Sequence, residues 1–341
     1  ATGGRPAIPP VPGVEEINYL TSDTVWQLQE LPGHLLVVGG GPIGCELAQA
    51  FARLGSRVTM VVRSELLPKE DMDVSAEVIT QFQNEGIDVL CRHRLLAFEN
   101  DNGQFSILLA HSGGERRITF DQVLFAAGRR ANTENLGLES LGIACNENGT
   151  LAVDEYLRTD CPTVYACGDV AGPYQFTHVA SHQAWYAAVN SLFGRFKKFR
   201  VDYSVIPWVT FSDPEVARVG INEKEAAQQG IAYESTVFNL DDLDRAIADS
   251  EARGFIKVLT VPGSAKILGV FIVGYHASEL ISEYILAMKH GLGLNKILAT
   301  IHIYPTYSEA NKFVAGEWKK QRKPERLLRW VEKFHRRQRR G

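Results

Sequence analysis

Leu35-Leu36-Val37-Val38-Gly39-Gly40-Gly41-Pro42-Ile43-Gly44-Cys45-Glu46 is the stretch on which the reading of this chain turns. Four apolar residues make a short buried strand, and Gly39-x-Gly41-x-x-Gly44 follows it directly. From Cys45 to Leu54 the residues Leu47, Ala48, Phe51, Ala52 and Leu54 fall on or near one helical face, and Gly55 ends the helix. Val58–Val62 is a second strand, so the whole is a βαβ unit. In that setting Gly39 permits the tight turn, Gly41 lets backbone approach a pyrophosphate, and Gly44 packs helix against strand. A diphosphate would lie at the positive helix N-terminus, with Gly39, Gly40, Gly41, Pro42, Ile43 and Gly44 as its cradle. A glycine-rich turn with no ligand is the alternative, and the βαβ context argues against it.

The end of the second strand selects the nucleotide. NAD sites place an acid there for the ribose hydroxyl, and NADP sites place arginine near the 2′-phosphate. Here Val62 is followed by Arg63, with Lys69 six residues on and no acid at the strand end. Arg63 can fork onto a phosphate and Lys69 can add a point charge. NADPH is therefore expected, with NADH a lesser option because Glu65 is close by. A surface arginine with no ligand is the alternative.

Working outward, residues 1–34 are rich in Pro and Gly and read as a connector leading to a helical stretch, Ser22–Leu31, with Ser22 as its N-cap. Asp73–Glu85 reads as a helix and Ile87–Leu90 as a strand, with a hairpin of Phe105–Ala110 and Arg117–Phe120 around Gly113-Gly114. The apolar runs Val123–Ala127 and Val164–Cys167 read as strands ending at Gly128 and at Gly168-Asp169, and a helix follows from Val179 to Phe193. Beyond Tyr203 the strands Trp208–Phe211, Tyr233–Asn239, Phe255–Thr260 and Lys266–Val273 mix with helices Glu223–Gln229, Ser278–His290 and Leu294–Thr300. That order suggests a separate α+β domain. Asn222-Glu223-Lys224-Glu225 is a capping box.

With 45% apolar and 22% charged residues in 341, the composition is that of a soluble globular protein with room for two or three domains. No run is apolar enough for a membrane span, and the opening Ala1-Thr2-Gly3-Gly4 carries neither Met nor a secretory leader, so the start is expected to have been lost by processing or truncation. Five irregularly spaced cysteines without a Cys-x-x-Cys pair argue against a disulfide framework, predict no metal site, and suggest small buried residues in a reducing cytoplasm. The net charge of −4 hides an asymmetry: residues 319–341 hold 11 Lys/Arg against 2 Glu, leaving 25 basic and 38 acidic groups elsewhere. Leu327, Trp330, Val331 and Phe334 recur at helical spacing in this tail. A weak contact with an anionic membrane surface and docking on the acidic body are both open readings. No nucleic-acid partner is expected.

Several ordered motifs give a resemblance. Ala1-Thr2-Gly3-Gly4-Arg5-Pro6 looks like the "ATG" segment of FAD-dependent pyridine nucleotide–disulfide oxidoreductases, and Gly39–Gly44 with Glu46 resembles their pyridine-nucleotide motif. Gly128-Arg129-Arg130-Ala131-Asn132 is similar to their GRxPN turn, with Ala131 in place of proline, and Thr163–Asp169 resembles their second FAD motif. The likeness continues through Phe211–Val216 to Tyr304-Pro305-Thr306-Tyr307-Ser308-Glu309 and so covers nearly the whole chain. Dihydrolipoamide dehydrogenase, glutathione reductase and mercuric reductase belong to this family. Arg63 with Lys69, Tyr304 and Asp244-Arg245-Ala246 resemble the mercuric reductase branch, although the tail has none of that branch's cysteines.

The resemblance implies an α/β fold in which FAD- and NAD(P)-binding Rossmann-like domains precede an α+β dimerisation domain. By it, 1–34 is a remnant of the FAD domain and 35–129 the NAD(P) domain. Residues 130–202 return to the FAD domain, 203–318 form the dimerisation domain, and 319–341 are the basic tail. Thr2, Gly3, Gly128, Gly168 and Asp169 would hold FAD, Asp169 through the ribitol, and Gln175-Phe176-Thr177-His178 would run beside the flavin. Glu46 would lie where nicotinamide meets isoalloxazine. Alternatives stand beside three of these: Asp169 as a cap of the next loop, His178 as a core histidine, Glu46 as a solvated first-turn carboxylate. Tyr304 and Glu309 would carry catalysis across a two-fold homodimer interface, facing the partner's redox disulfide. Hydride would pass from NADPH to FAD, then to a disulfide and an acceptor. The resemblance also implies a leading FAD unit and a Cys-x4-Cys pair upstream of Ala1, so the chain alone is expected to be inactive. The rival readings are a silent nucleotide-binding fragment, a one-domain Rossmann dehydrogenase or methyltransferase, and an interaction protein using its tail.

Overall fold

The computed structural model describes residues 1–339; Arg340 and Gly341, the last two of the basic tail, lie outside the described residues. The chain divides into two compact units, Ala1–Asp213 and Pro214–Gly341.

The first unit is built on a five-stranded parallel sheet in the order Tyr19–Thr21, Gln122–Phe125, His34–Val38, Arg57–Val62, Asp88–Cys91. Its central strands are apolar on both faces because both are covered, as parallel sheets require. Leu36, Val38, Val61, Val123 and Phe125 join Phe98, Ile107, Leu109 and Phe120 in one core. Those partners come from an antiparallel meander of Arg94–Asp101, Gln104–His111 and Gly114–Phe120. Leu35 and Val37 point the opposite way by the two-residue period, toward the helix Pro42–Leu54, while the helix Met72–Asn84 packs on the edge strand Asp88–Cys91. The strand ends at Val38 and Val62 thus open beside the glycine loop.

Two sequence expectations need correction in this unit, and two of its strands were not expected. Ser22–Leu31 is not a helix: only Val25–Gln27 makes a single 3₁₀ turn. The hydroxyls of Thr21 and Thr24 accept from the N–H groups of Asp23 and Thr21, which competes with helical bonding. The connector also contributes an edge strand, Tyr19–Thr21, to the sheet. The strand Arg94–Asp101 escaped the reading because a bulge between Leu95 and Ala97 breaks its alternation. Val164–Cys167 is loop joined by one bridge, Arg158 to Tyr165. Buried amides on the helix Thr177–Phe193 satisfy the loops around it. Gln183 accepts from Gly168 N (2.6 Å) and donates to Gly172 O (2.7 Å), while Asn190 donates to Tyr156 O and Phe199 O.

In the second unit the strands Glu215–Gly220, Ile267–Gly274, Phe255–Thr260 and Glu234–Asn239 pair antiparallel in that order. The helices Ala277–Lys289 and Glu309–Lys320 pack on them. The capping box is present, with Asn222 Oδ1 accepting from Glu225 N at 2.7 Å. Arg218 interrupts the apolar run of Glu215–Gly220, which hides that strand in the sequence. The side chain is 1% exposed, lies over Phe271 and pairs with Glu225. The tail forms the helix Glu325–Gln338, none of whose residues is buried.

Candidate cofactor site

The glycine loop joins His34–Val38 to Pro42–Leu54, with Gly41 as N-cap and Pro42 in the first turn, where its missing N–H is no loss. Gly39 has φ +123, and a Cβ there would sit 2.3 Å from Ala126 O. A Cβ on Gly44 would lie 2.3 Å from Gly39 O, so this glycine lets the helix rest on its own loop. Gly40 is crowded by Val62, at 2.7 Å from an added Cβ. At Gly41 an added Cβ meets nothing within 4 Å, so its face toward the helix N-terminus is open. Ile43 is half-buried in the first turn. This is a cradle that a diphosphate fits.

Arg63 follows the strand Arg57–Val62; it is exposed and has no ion-pair partner among the described residues. Glu65, the acid that weighed against an NADP site, pairs with Arg92 at 3.2 Å. Lys69 is exposed in the following loop, which is tied to the glycine loop by Leu67 N donating to Gly40 O at 2.7 Å.

Glu46 is not a solvated carboxylate. It is half-buried and accepts from Phe211 N at 2.9 Å. Burial raises its pKa, and the Phe211 N–H only partly offsets this. Two residues that the sequence reading passed over continue the same helix face. Gln49, buried, donates to Asp213 O and accepts from Asp213 N, both at 2.7 Å. Arg53 pairs with Glu85 and Asp213, each at 2.6 Å. Positions 46, 49 and 53 share one face by the i, i+3, i+7 rule, so the segment 211–213 is held along the helix that carries the glycine loop. The signal was present as polar residues inside an apolar helical pattern, but their partners lie about 160 residues away.

The residues matched to FAD come from three distant segments that meet. Gly4–Pro6 pairs with Arg129–Ala131. Thr2 Oγ1 donates to Asn132 O, and Asn132 N donates to Gly3 O. Arg129 donates to Gly4 O at 2.6 Å and pairs with Asp169 at 3.4 Å. The Asp169 carboxylate is therefore turned to Arg129, and no N–H of the next loop is its partner among the described residues. Gly168 has φ +79. Added Cβ atoms at Gly3 and Gly128 meet nothing within 4 Å, which leaves two further open backbone approaches. Gln175 is exposed, Phe176 caps the helix Thr177–Phe193, and Thr177 opens it. His178 is exposed, stacks on Phe176 and bonds to Pro207 O at 2.9 Å, so it is no core histidine. All five cysteines are free. Only Cys45 is buried; Cys91, Cys161 and Cys167 are half-buried and Cys145 exposed, which corrects the expectation of mostly buried thiols.

In the second unit Tyr304 is 67% exposed and donates to Asp244 Oδ2 at 2.8 Å. That bond, with the carboxylate's charge, raises the phenol pKa. Glu309 instead accepts from Thr306 N, so the phenol and Glu309 are not hydrogen-bonded. Tyr307 donates to Asp249, and its pKa is pushed up to about 12 by burial and then by that carboxylate. Two residues before Tyr304, the nearly buried His302 faces only acceptors: Thr300 O and both oxygens of Glu283.

Residues 1–184 match the family described as pyridine nucleotide-disulphide oxidoreductase, and residues 206–314 match its dimerisation domain. The mercuric reductase of Streptomyces lividans is 38% identical over 92% of this chain and 66% of its own length. The dihydrolipoyl dehydrogenase of Chlamydia muridarum is 39% identical, over 91% and 66%. Among solved structures, the HOCl-induced flavoprotein disulfide reductase RclA of Escherichia coli, as its Cu(II) complex, superposes with TM-score 0.85 at 29% identity. That match covers 93% of this chain and 71% of RclA. The chain thus spans just under two thirds of these two curated relatives, and 56% of the mercuric reductase of Acidithiobacillus ferrooxidans. Members of this family are FAD-dependent and use a pyridine nucleotide. The ordered glycine loop, the return to Gly168-Asp169 and the antiparallel second unit have one common explanation: the chain belongs to the pyridine nucleotide–disulphide oxidoreductase family.

Proposed function

We propose that this chain is the nucleotide-binding and dimerisation part of an NADPH-dependent flavoprotein reductase that works as a homodimer. Arg63 carries the reading: a guanidinium without an ion-pair partner among the described residues, at the end of the second strand, with Glu65 engaged by Arg92. Gly39–Gly44 hold the diphosphate, with Arg63 and Lys69 directed to the 2′-phosphate. Thr2, Gly3, Gly128, Gly168 and Asp169 receive FAD, and Gln175–His178 line the flavin. When bound, nicotinamide and flavin supply the redox chemistry, and the chain supplies orientation and electrostatics. Glu46, held by Phe211 N–H and with its pKa raised by burial, would set the polarity where nicotinamide and flavin meet. The exposed Ile301, Ile303 and Tyr304 support a two-fold interface in the second unit.

Tyr304 decides the class of acceptor. With its pKa raised beyond an already high value of about 10, it is a hydrogen-bond donor and not a base for thiols at neutral pH. Glu309 orders the turn before its own helix. A metal-thiolate or a quinone suits such a donor better than a glutathione- or lipoamide-type disulfide. The test is a panel of acceptors with the full-length enzyme, wild type beside Tyr304→Phe and Tyr304→His. The expected result is weak disulfide reduction by wild type and a gain of it in Tyr304→His. Brisk wild-type glutathione or lipoamide reduction, unchanged in Tyr304→Phe, overturns the acceptor assignment.

A further inference from the structure

The tail helix Glu325–Gln338 has a sorted surface. At 100° per residue, Leu327, Leu328, Trp330, Val331 and Phe334 fall within an arc of about 160°. Arg326, Arg329, Lys333, Arg336 and Arg337 occupy the opposite side. Trp330 and Phe334 stack at 5.8 Å, yet Trp330 keeps 62% of its surface exposed and no residue of the helix is buried. The face lies beyond residue 314, where the dimerisation match ends. We propose that this helix is a peripheral anchor that lies in the plane of an anionic lipid surface, with the Leu/Trp/Phe side among the acyl chains and the arginines against phosphate headgroups.

Charge and shape choose this occupant over others. The segment 319–341 carries 11 basic against 2 acidic residues, which attracts an anionic leaflet. A second copy of so basic a helix would repel it, and a nucleic acid would leave the apolar arc in water. Aromatic residues flanked by arginine suit the headgroup boundary. The helix is also only about 21 Å long at 1.5 Å per residue, too short to span the bilayer core. Among the described residues no helix is long and apolar enough to cross a membrane, so the contact is one of lying on the surface.

The test is co-sedimentation of the full chain with vesicles of phosphatidylcholine alone or mixed with phosphatidylglycerol. Three proteins are compared: wild type, a chain ending at Lys323, and the double variant Trp330→Ser/Phe334→Ser. Wild type is expected to sediment with the anionic vesicles only, and both altered proteins to lose at least about tenfold of that binding. No sedimentation of wild type overturns the proposal. So does equal binding by the double variant, which would mean charge adhesion without insertion. A truncation that lowers the oligomeric state in lipid-free solution overturns it in favour of pairing between copies.

Discussion

Single atoms separate the roles of the glycines. Gly44→Ala forces a Cβ to within 2.3 Å of Gly39 O, a backbone atom that cannot step aside. It should destabilise the first unit by more than about 2 kcal/mol. Gly41→Ala enters open space at an ordinary φ of −83, and should cost about 1 kcal/mol or less as a poorer N-cap. It should nevertheless abolish nucleotide binding, because the methyl group occupies the diphosphate's approach. Thermal melts beside nucleotide titrations check the pair. Glu46 adds a pH signature. Its folded pKa lies above the ordinary carboxylate value, so its ionisation costs stability as pH rises from about 4.3 through the folded pKa. Glu46→Gln keeps an acceptor for Phe211 N–H without the charge. It should raise the melting temperature near neutral pH and leave it unchanged at about pH 4, where the wild-type acid is protonated as well. An equal change at both pH values would contradict the burial argument.

At the scale of elements, the parts that could be read were those set by local sequence. The βαβ unit, the capping box and the helix after Gln175 follow from apolar period, glycines and caps within a dozen residues. What failed was set by partners far along the chain. Arg94–Asp101 hides its alternation in a bulge, and Ser22–Leu31 was diverted by the hydroxyls of Thr21 and Thr24. Glu215–Gly220 carries a buried arginine that no periodicity predicts. That arginine has a physical account. Arg218 and Lys257 stand opposite Phe271 on its two neighbouring strands, each cation about 5 Å from the ring centroid, and Glu225 and Glu223 pair with them from the helix Glu223–Gln229. Phe271 is thus the apolar plate between two buried cations. Phe271→Leu keeps most of the volume and removes both ring faces, at a cost of about 2–3 kcal/mol. Urea unfolding of the second unit measures it, and a loss below about 1 kcal/mol would show the ring faces to be incidental.

For the molecule as a whole, the FAD-side residues were visible only through resemblance. Thr2, Gly128 and Asp169 meet because Gly4–Pro6 pairs with Arg129–Ala131 and Arg129 reaches Asp169, contacts that no spacing in the chain encodes. The nucleotide side rests on firmer local ground, because Arg63 follows the strand it serves by one residue. The account stands on that arginine selecting a 2′-phosphate, and the direct measurement is calorimetric titration of NADPH and NADH into the protein, wild type beside Arg63→Glu. A charge-assisted contact of about 1.5–3 kcal/mol predicts NADPH binding at least about tenfold tighter than NADH, with the preference lost or reversed in the variant. Equal affinities for the two nucleotides in the wild type, or a preference unmoved by Arg63→Glu, would contradict it.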